Sequence, residues 1–437
     1  MTDGGYRKRL SEDLPRWRDQ GWVSAEGVTA ILASLEGRRA TFGLAAIVGV
    51  LGALLLGAGV VAFVSANWDL MPRIVRFALL VAAMAIAYGS AAALAAKELR
   101  VFSEAALLLA GIVFAAAIAL VGQTYHLAGE FSDAVLLWEI GILGAALVTG
   151  SGALTALALA GSGYWTWLNV VDLATVPHWG GLLSILIGGA IALRLESHYV
   201  RLMAVLTLAF WIAVNLIGLS TLLNWSPIEL MAIATSAALL FWASGSILTS
   251  FSTWNGLAAL GYAMLWPGIA AVLVALGILQ TAPEWQRFGA TDQWLLLAGA
   301  GIVIATLLSA IAARRGSLTI IDVGGAAAIG LATLSYAYFL PGNPVIARLI
   351  GGVIVLGAAL WAINQGQSGP QRVGKITGLA AFGFEVIYLY VVTLGSLIDT
   401  ALAFLGGGVL FILLAYGLFR IDRRLAGNAA TMVGSES

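Results

Sequence analysis

A chain of 437 residues that is 61% hydrophobic and only 10% charged, with a mean hydropathy of +0.97, is far too apolar for a water-soluble globular domain. Twenty-two basic residues balance 22 acidic ones, so no excess charge draws the chain to nucleic acid. Cysteine is absent, which excludes disulfides, thiol catalysis and cysteine-ligated metals. The sequence is that of an integral membrane protein, with the lipid bilayer as its first partner.

The first apolar stretch starts only near residue 43. A cleavable signal needs its apolar core within roughly the first 15 to 30 residues, so the first helix is expected to stay in the mature chain. The polar arm before it, "YRKRLSEDLPRWRDQGWVSAEGVTAILASLEGRR", reads as two short helices. Ser11 can cap the first, Gly21 separates them, and Val28, Ile31, Leu32 and Leu35 share one face of the second. The favoured reading is an interfacial hairpin, with Trp17 and Trp22 among headgroups and the arginines against anionic lipid. A docking module for a cytoplasmic partner is the alternative.

Apolar stretches of spanning length, roughly 17 to 25 residues, fall at 43–66, 74–96, 103–125, 134–150, 152–171, 179–195, 201–222, 227–248, 255–280, 293–313, 319–340, 344–364, 374–396 and 400–420. The expected fold is all-α, a polytopic transmembrane bundle of about 14 helices. Two places are least regular: the fourth and fifth spans, divided only by "TGSG", and the ninth, which carries Pro267. Cytoplasmic loops keep an excess of Lys and Arg. With the amino terminus inside, 18 of the 22 basic residues fall on the inner side, leaving Arg73, Arg76, Arg287 and Arg348 outside. Both termini are therefore expected to be cytoplasmic.

A repeat is also visible. Asn67-Trp68 recurs as Asn224-Trp225, and Gln123-Thr124 recurs as Gln280-Thr281, both at an offset of 157; Trp138 meets Trp294 within one residue of it. Helices one to four overlay seven to ten, which predicts a parallel six-plus-six repeat with two helices appended. The fifteen tryptophans, a residue type that favours interfaces, make chance the competing explanation. The expected segments are an amphipathic arm at 1–40, six-helix units at 41–196 and 197–365, two last helices at 366–425 and a disordered tail at 426–437. The break "NQGQSGPQRVGK" precedes the last two helices.

The main interruption in the apolar run is "LVGQTYHLAGEFSDAVLLWE". By this topology Gln123, Tyr125, His126, Glu130, Asp133, Trp138 and Glu139 face the outer side, as do Asn67, Trp68, Asp69, Arg73 and Arg76 in the preceding outer loop. Carboxylates, an imidazole and two arginines suffice for an anion or proton site. Capping of exposed helix ends is the plainer role for Asn67 and Gln123, and a structural hydrogen bond for His126. Gln123 and His126 share a face if the helix runs that far. Glu139 lies about five residues into its span, roughly 7 Å deep.

Glu385, in "GLAAFGFEVIYLYVV", is about eleven residues from either end of its span, near mid-membrane. A central acid costs roughly 2.5 to 3.5 kcal/mol and needs a partner, a proton or water. Tyr388, Tyr390 or a polar group on another helix could bond to it. Proton coupling and a neutral interhelical hydrogen bond are equally weighted roles. Asp322 and Glu104 fall near cytoplasmic helix ends, where solvation would explain them. Small residues at fourfold spacing, Ala45, Gly49, Ala53 and Gly57, with Gly406, Gly407 and Gly408 on the last helix, favour close packing.

"LGALLLGAGVVAFVSANWD", "VGQTYHLAGEFSDAVLLW" and the arm with "RDQGWVSAEGV" resemble the bacterial predicted membrane proteins grouped as domain of unknown function 2157. The resemblance covers residues 1 to about 150, and "ALAFLGGGVLFILLAYGLFRIDRR" is similar to the tail of these proteins. It implies a multipass protein of the bacterial cytoplasmic membrane and brings no known activity or catalytic residue. Asn67, Trp68, Gln123, Tyr125, His126 and Trp138 fall in its recurrent pattern.

No nucleotide-binding, zinc-protease or nucleophile-elbow motif stands in a usable context. His126, His178 and His198 are far apart in sequence, which disfavours a three-histidine metal, and no cofactor is expected. A transporter or flippase for a small or lipid-linked substrate ranks first. A membrane-embedded transferase at the outer face, with Asp69, His126, Glu130 or Glu139 as acid or base, is the second class. A scaffold or regulator that moves nothing is the third.

Overall fold

The computed structural model describes residues 13–14, 16–24, 26–28, 52, 55, 59, 72–126, 129–195, 197–251, 255–281, 293–339, 344–366 and 372–393. The expected spans at 43–66 and 400–420, their small-residue stripes, Ser11, and Asn67, Trp68 and Asp69 lie outside these residues. The other twelve expected spans each coincide with a helix: α1 (Arg73–Ala96), α2 (Arg100–Tyr125), α3 (Phe131–Thr149), α4 (Gly152–Trp167), α5 (Trp179–Arg194), α6 (His198–Leu222), α7 (Pro227–Thr249), α8 (Asn255–Leu279), α9 (Gln293–Arg314), α10 (Ile320–Tyr338), α11 (Pro344–Gln365) and α12 (Arg372–Thr393). Among the described residues ten helices are long and apolar enough to cross a membrane, and there is no strand. With no water to satisfy backbone groups in hydrocarbon, the helix is the form such segments can take.

The helix ends have local causes. The chain breaks between α3 and α4 at Gly150, whose φ of +63° is easy only for glycine, and Ser151 Oγ then accepts from Leu154 N at 3.2 Å. Ser226 and Glu229 form a reciprocal capping box at the start of α7, with Pro227 in its first turn. Pro267 sits inside α8 without ending it; it removes one rung of the ladder, which packing helices tolerate. After α4 a π-helical turn, Leu168–Asp172, closes the segment. In the arm, Gly21 takes a φ of +76° after the helical residues 16–19, and Ser24 Oγ caps the next turn by accepting from Gly27 N at 3.0 Å.

The chain gathers into two compact units, Met1–Ile142 and Leu143–Ser437. In the first, α1 packs on α2, where Ser103 Oγ donates to Ala91 O across 2.9 Å. Trp138 Nε1 donates to Gly111 O at 2.9 Å, tying α3 to α2, and Gly141 leaves room for the Phe114 ring.

In the second unit, α7 is the central helix and packs on α8, α9 and α10. Trp242, fully buried, meets the Trp361 ring edge-on at 4.8 Å. Lipid tails are as apolar as leucine, so this core is held by close packing and interhelical hydrogen bonds rather than by removal from water. Gly261 illustrates the closeness: a Cβ there would lie 2.6 Å from the Gly245 carbonyl oxygen. Ser236 Oγ donates to Ala298 O at 2.8 Å, joining α7 to α9. Large side chains such as Leu183, Leu296 and Val303 point outward, a surface suited to lipid.

Asp322 corrects an expectation. It is 2% exposed, so solvation does not explain it. Its Oδ2 accepts from Thr319 N and Thr319 Oγ1, both at 2.8 Å, and Oδ1 accepts from Asn364 Nδ2 at 3.1 Å. With Thr319 it forms the capping box of α10 and ties that helix to α11.

Candidate functional site

The polar group that the second unit seats most deliberately is a pair 105 residues apart in sequence. Gln280 follows the last residue of α8, held by its backbone N–H to Leu276 O at 3.1 Å. Its Nε2 donates to Glu385 Oε2 on α12 at 2.8 Å. Both side chains are buried, at 2% and 1% exposure. Glu385 thus bonds to a polar group on another helix, one of the alternatives open in the sequence, and no described Lys or Arg pairs with it.

Two consecutive glycines of α11 make the approach possible. Successive helical residues point about 100° apart, so they can face different neighbours. Gly351 faces Gln280: a Cβ there would come within 2.7 Å of Gln280 Cβ. Gly352 faces α12: a Cβ there would come within 2.9 Å of Glu385 Oε1 and 2.6 Å of a Leu389 methyl. Tyr336, at the end of α10, is buried nearby, its hydroxyl 3.5 Å from the place of a Gly351 Cβ and within electrostatic reach of Arg348 and Tyr388.

The pair is only half satisfied. Glu385 Oε1 and Gln280 Oε1 are buried and accept no hydrogen bond from the described residues. An ionised acid in hydrocarbon costs roughly 2.5 to 3.5 kcal/mol. A single hydrogen bond to a charged group returns about 1.5 to 3 kcal/mol. The balance is near zero and one oxygen of each side chain is left over. Both residues line a cavity of ≈ 730 Å³ whose other walls are mostly apolar, among them Leu273, Gly277, Val355 and Phe384, with the hydroxyl-bearing Thr281, Thr377 and Tyr388.

The other expected site residues are placed differently. Gln123, Tyr125 and His126 are exposed at the end of α2. The helix stops at Tyr125, and His126 takes a φ of +46° as its left-handed cap, so Gln123 and His126 do not share a helical face. Glu130 and Asp133 are exposed at the start of α3, and no hydrogen bond or ion pair among the described residues joins them to His126. Arg73 begins α1 and Arg76 is half-buried one turn later. Trp138 is half-buried through its bond to Gly111. Glu139 is fully buried, eight residues after the start of α3 at Phe131.

Sequence reasoning noted Gln280 only as the counterpart of Gln123, and the two now differ: Gln123 is exposed and Gln280 buried. It missed Tyr336, Gly351 and Gly352. The readable signal was the adjacent glycine pair in "ARLIGGVIV", on a helix facing two neighbours.

A second buried polar residue is His178, before α5. Its backbone N–H donates to Asn215 Oδ1 at 2.8 Å, its carbonyl accepts from Trp211 Nε1 at 2.9 Å, and its ring stands edge-on to Trp165 at 4.4 Å. Burial pushes its pKa below the ordinary 6.5.

Chemically, the Gln280–Glu385 pair can hold a proton or receive hydrogen-bond donors from the cavity. No curated protein and no solved structure matches the chain. Residues 15–155 match the family described as predicted membrane protein, domain of unknown function 2157, the one that the sequence resembled.

Proposed function

We propose that the protein is a transporter or flippase of the bacterial cytoplasmic membrane, with the Gln280–Glu385 pair as its polar station. The observation that carries this reading is a buried acid that keeps one oxygen unsatisfied while lining a mostly apolar cavity. An acid kept only for helix packing has no need of a cavity, and its oxygens are better fully satisfied, as those of Asp322 are. A many-helix chain with short connections suits movement of a small or lipid-linked substrate. Of the transferase reading's candidates, His126 and Glu130 are exposed and unjoined among the described residues, Glu139 is buried, and Asp69 lies outside those residues.

The test is leaflet exchange in proteoliposomes carrying a long-chain amine with a fluorescent label, using a membrane-impermeant quencher added outside. Wild-type protein is expected to expose the inner-leaflet label to the quencher, and Glu385→Gln to slow this by about tenfold or more, the effect of one lost charge-assisted interaction. Wild-type vesicles indistinguishable from protein-free ones would refute the reading.

A further inference from the structure

We infer that the cavity beside Gln280 and Glu385 is a binding groove for a single-chain amphiphile with a primary ammonium head, entered sideways from the bilayer. The inference rests on the transport reading's polar pair and names the substrate class that the pair selects.

The shape comes first. The lining runs along α8 from Ala270 to Thr281 and along α12 from Ile376 to Tyr388, with Val355 of α11 at the back. At 1.5 Å per residue this is a trough about 16 to 18 Å long, the proportions of an extended hydrocarbon chain rather than of a compact solute. Its rim consists of exposed apolar side chains, Val274, Ile278, Ile376 and Phe384. Such a rim, on helices of spanning length, opens to lipid and not to water, so the occupant arrives dissolved in the bilayer.

The head chemistry follows from the unfilled atoms. Gln280 spends one amide N–H on Glu385 Oε2, and two buried acceptors without a partner among the described residues are left beside the cavity, Gln280 Oε1 and Glu385 Oε1. A hydroxyl offers one donor and no charge. A carboxylate or phosphate offers no donor and repels Glu385. A primary ammonium carries three N–H donors and the positive charge that an otherwise unpaired carboxylate lacks among the described residues. The pair also sits at one end of the trough: Gln280 lies beyond the last turn of α8, and Ile376 and Thr377 line the other end. The trough therefore holds one head and one tail in a single orientation.

Gly277 supplies a clean test. It lines the groove, and a Cβ there would meet nothing within 4 Å, so a larger side chain enters empty space without disturbing the helix. The full-length protein in phosphatidylcholine nanodiscs would be irradiated with dodecylamine carrying a diazirine in its chain, beside matched acid and alcohol probes, and the adducts mapped by mass spectrometry. Expected are amine adducts on residues 270–281 and 376–388, about tenfold above the acid probe, the ratio of one charge-assisted bond. Gly277→Phe should suppress these adducts, and Glu385→Gln should abolish the preference for amine while leaving chain contact. Adducts spread evenly over the apolar surface, capture unaltered by Gly277→Phe, or equal capture of amine and acid would each overturn the inference. Capture without leaflet exchange would leave the groove standing and remove the transport reading; exchange without capture would do the opposite.

Discussion

Asp322 and Glu385 are both acids buried to within 2% exposure in the second unit, yet their surroundings divide them. Asp322 has both oxygens occupied, by Thr319 and Asn364. Glu385 has one oxygen occupied by Gln280 and the other without a partner among the described residues, and its side chain lines a groove. Burial alone therefore does not mark function. A saturated acid fixes a helix end, whereas a half-saturated one beside a cavity is left with capacity for a ligand or a proton.

Substitution should separate the two acids most sharply in stability. Asp322→Ala strands the Thr319 and Asn364 donors and is expected to cost about 2 to 4 kcal/mol, seen as a large fall in the thermal midpoint in detergent. Gly352→Ala should cost less, about 1 to 3 kcal/mol, because a methyl group meets Glu385 and Leu389, side chains that can yield. It should also displace the carboxylate and weaken amine capture, a loss no equal overpacking elsewhere would produce.

Glu385→Gln is expected to shift stability by less than about 1 kcal/mol, because an amide oxygen still accepts from Gln280 and no charge remains to desolvate. A fall as large as that of Asp322→Ala would erase the distinction between the acids and return Glu385 to a structural role.

The smallest effect concerns His178, which burial keeps neutral. The unfolded chain takes up a proton near pH 6.5 that the folded chain refuses until a lower pH. Stability should thus be level above that range and decline as pH falls through it, with His178→Gln flattening the decline in a pH series of thermal midpoints.

Much of the helical layout was legible because a spanning helix announces itself by length and composition, and its ends by residues such as Gly150 and Ser151. The twelve helices on described residues follow from such local signals. The Asp322 box was also local, with Thr319 three residues upstream, but the apolar context drew attention to the span and away from its cap. The Gln280–Glu385 pair was not legible, since nothing in either neighbourhood specifies a partner 105 residues away. Conversely, Gln123, His126, Glu130 and Asp133 drew attention by crowding together in sequence. Their crowding reflects a connection between two helices, where polar side chains are cheap in water.

The central claim is that position 385 is reachable in the folded protein although it is buried at rest. The chain has no native cysteine, so single Glu385→Cys, His126→Cys and Ala298→Cys variants can each be exposed to a lipid-soluble N-alkyl maleimide that partitions into the bilayer. His126 is exposed and Ala298 fully buried, so they set the two limits. The account predicts that position 385 reacts, more slowly than 126 but well above 298. Labelling at 385 as low as at 298, while 126 reacts, would contradict it.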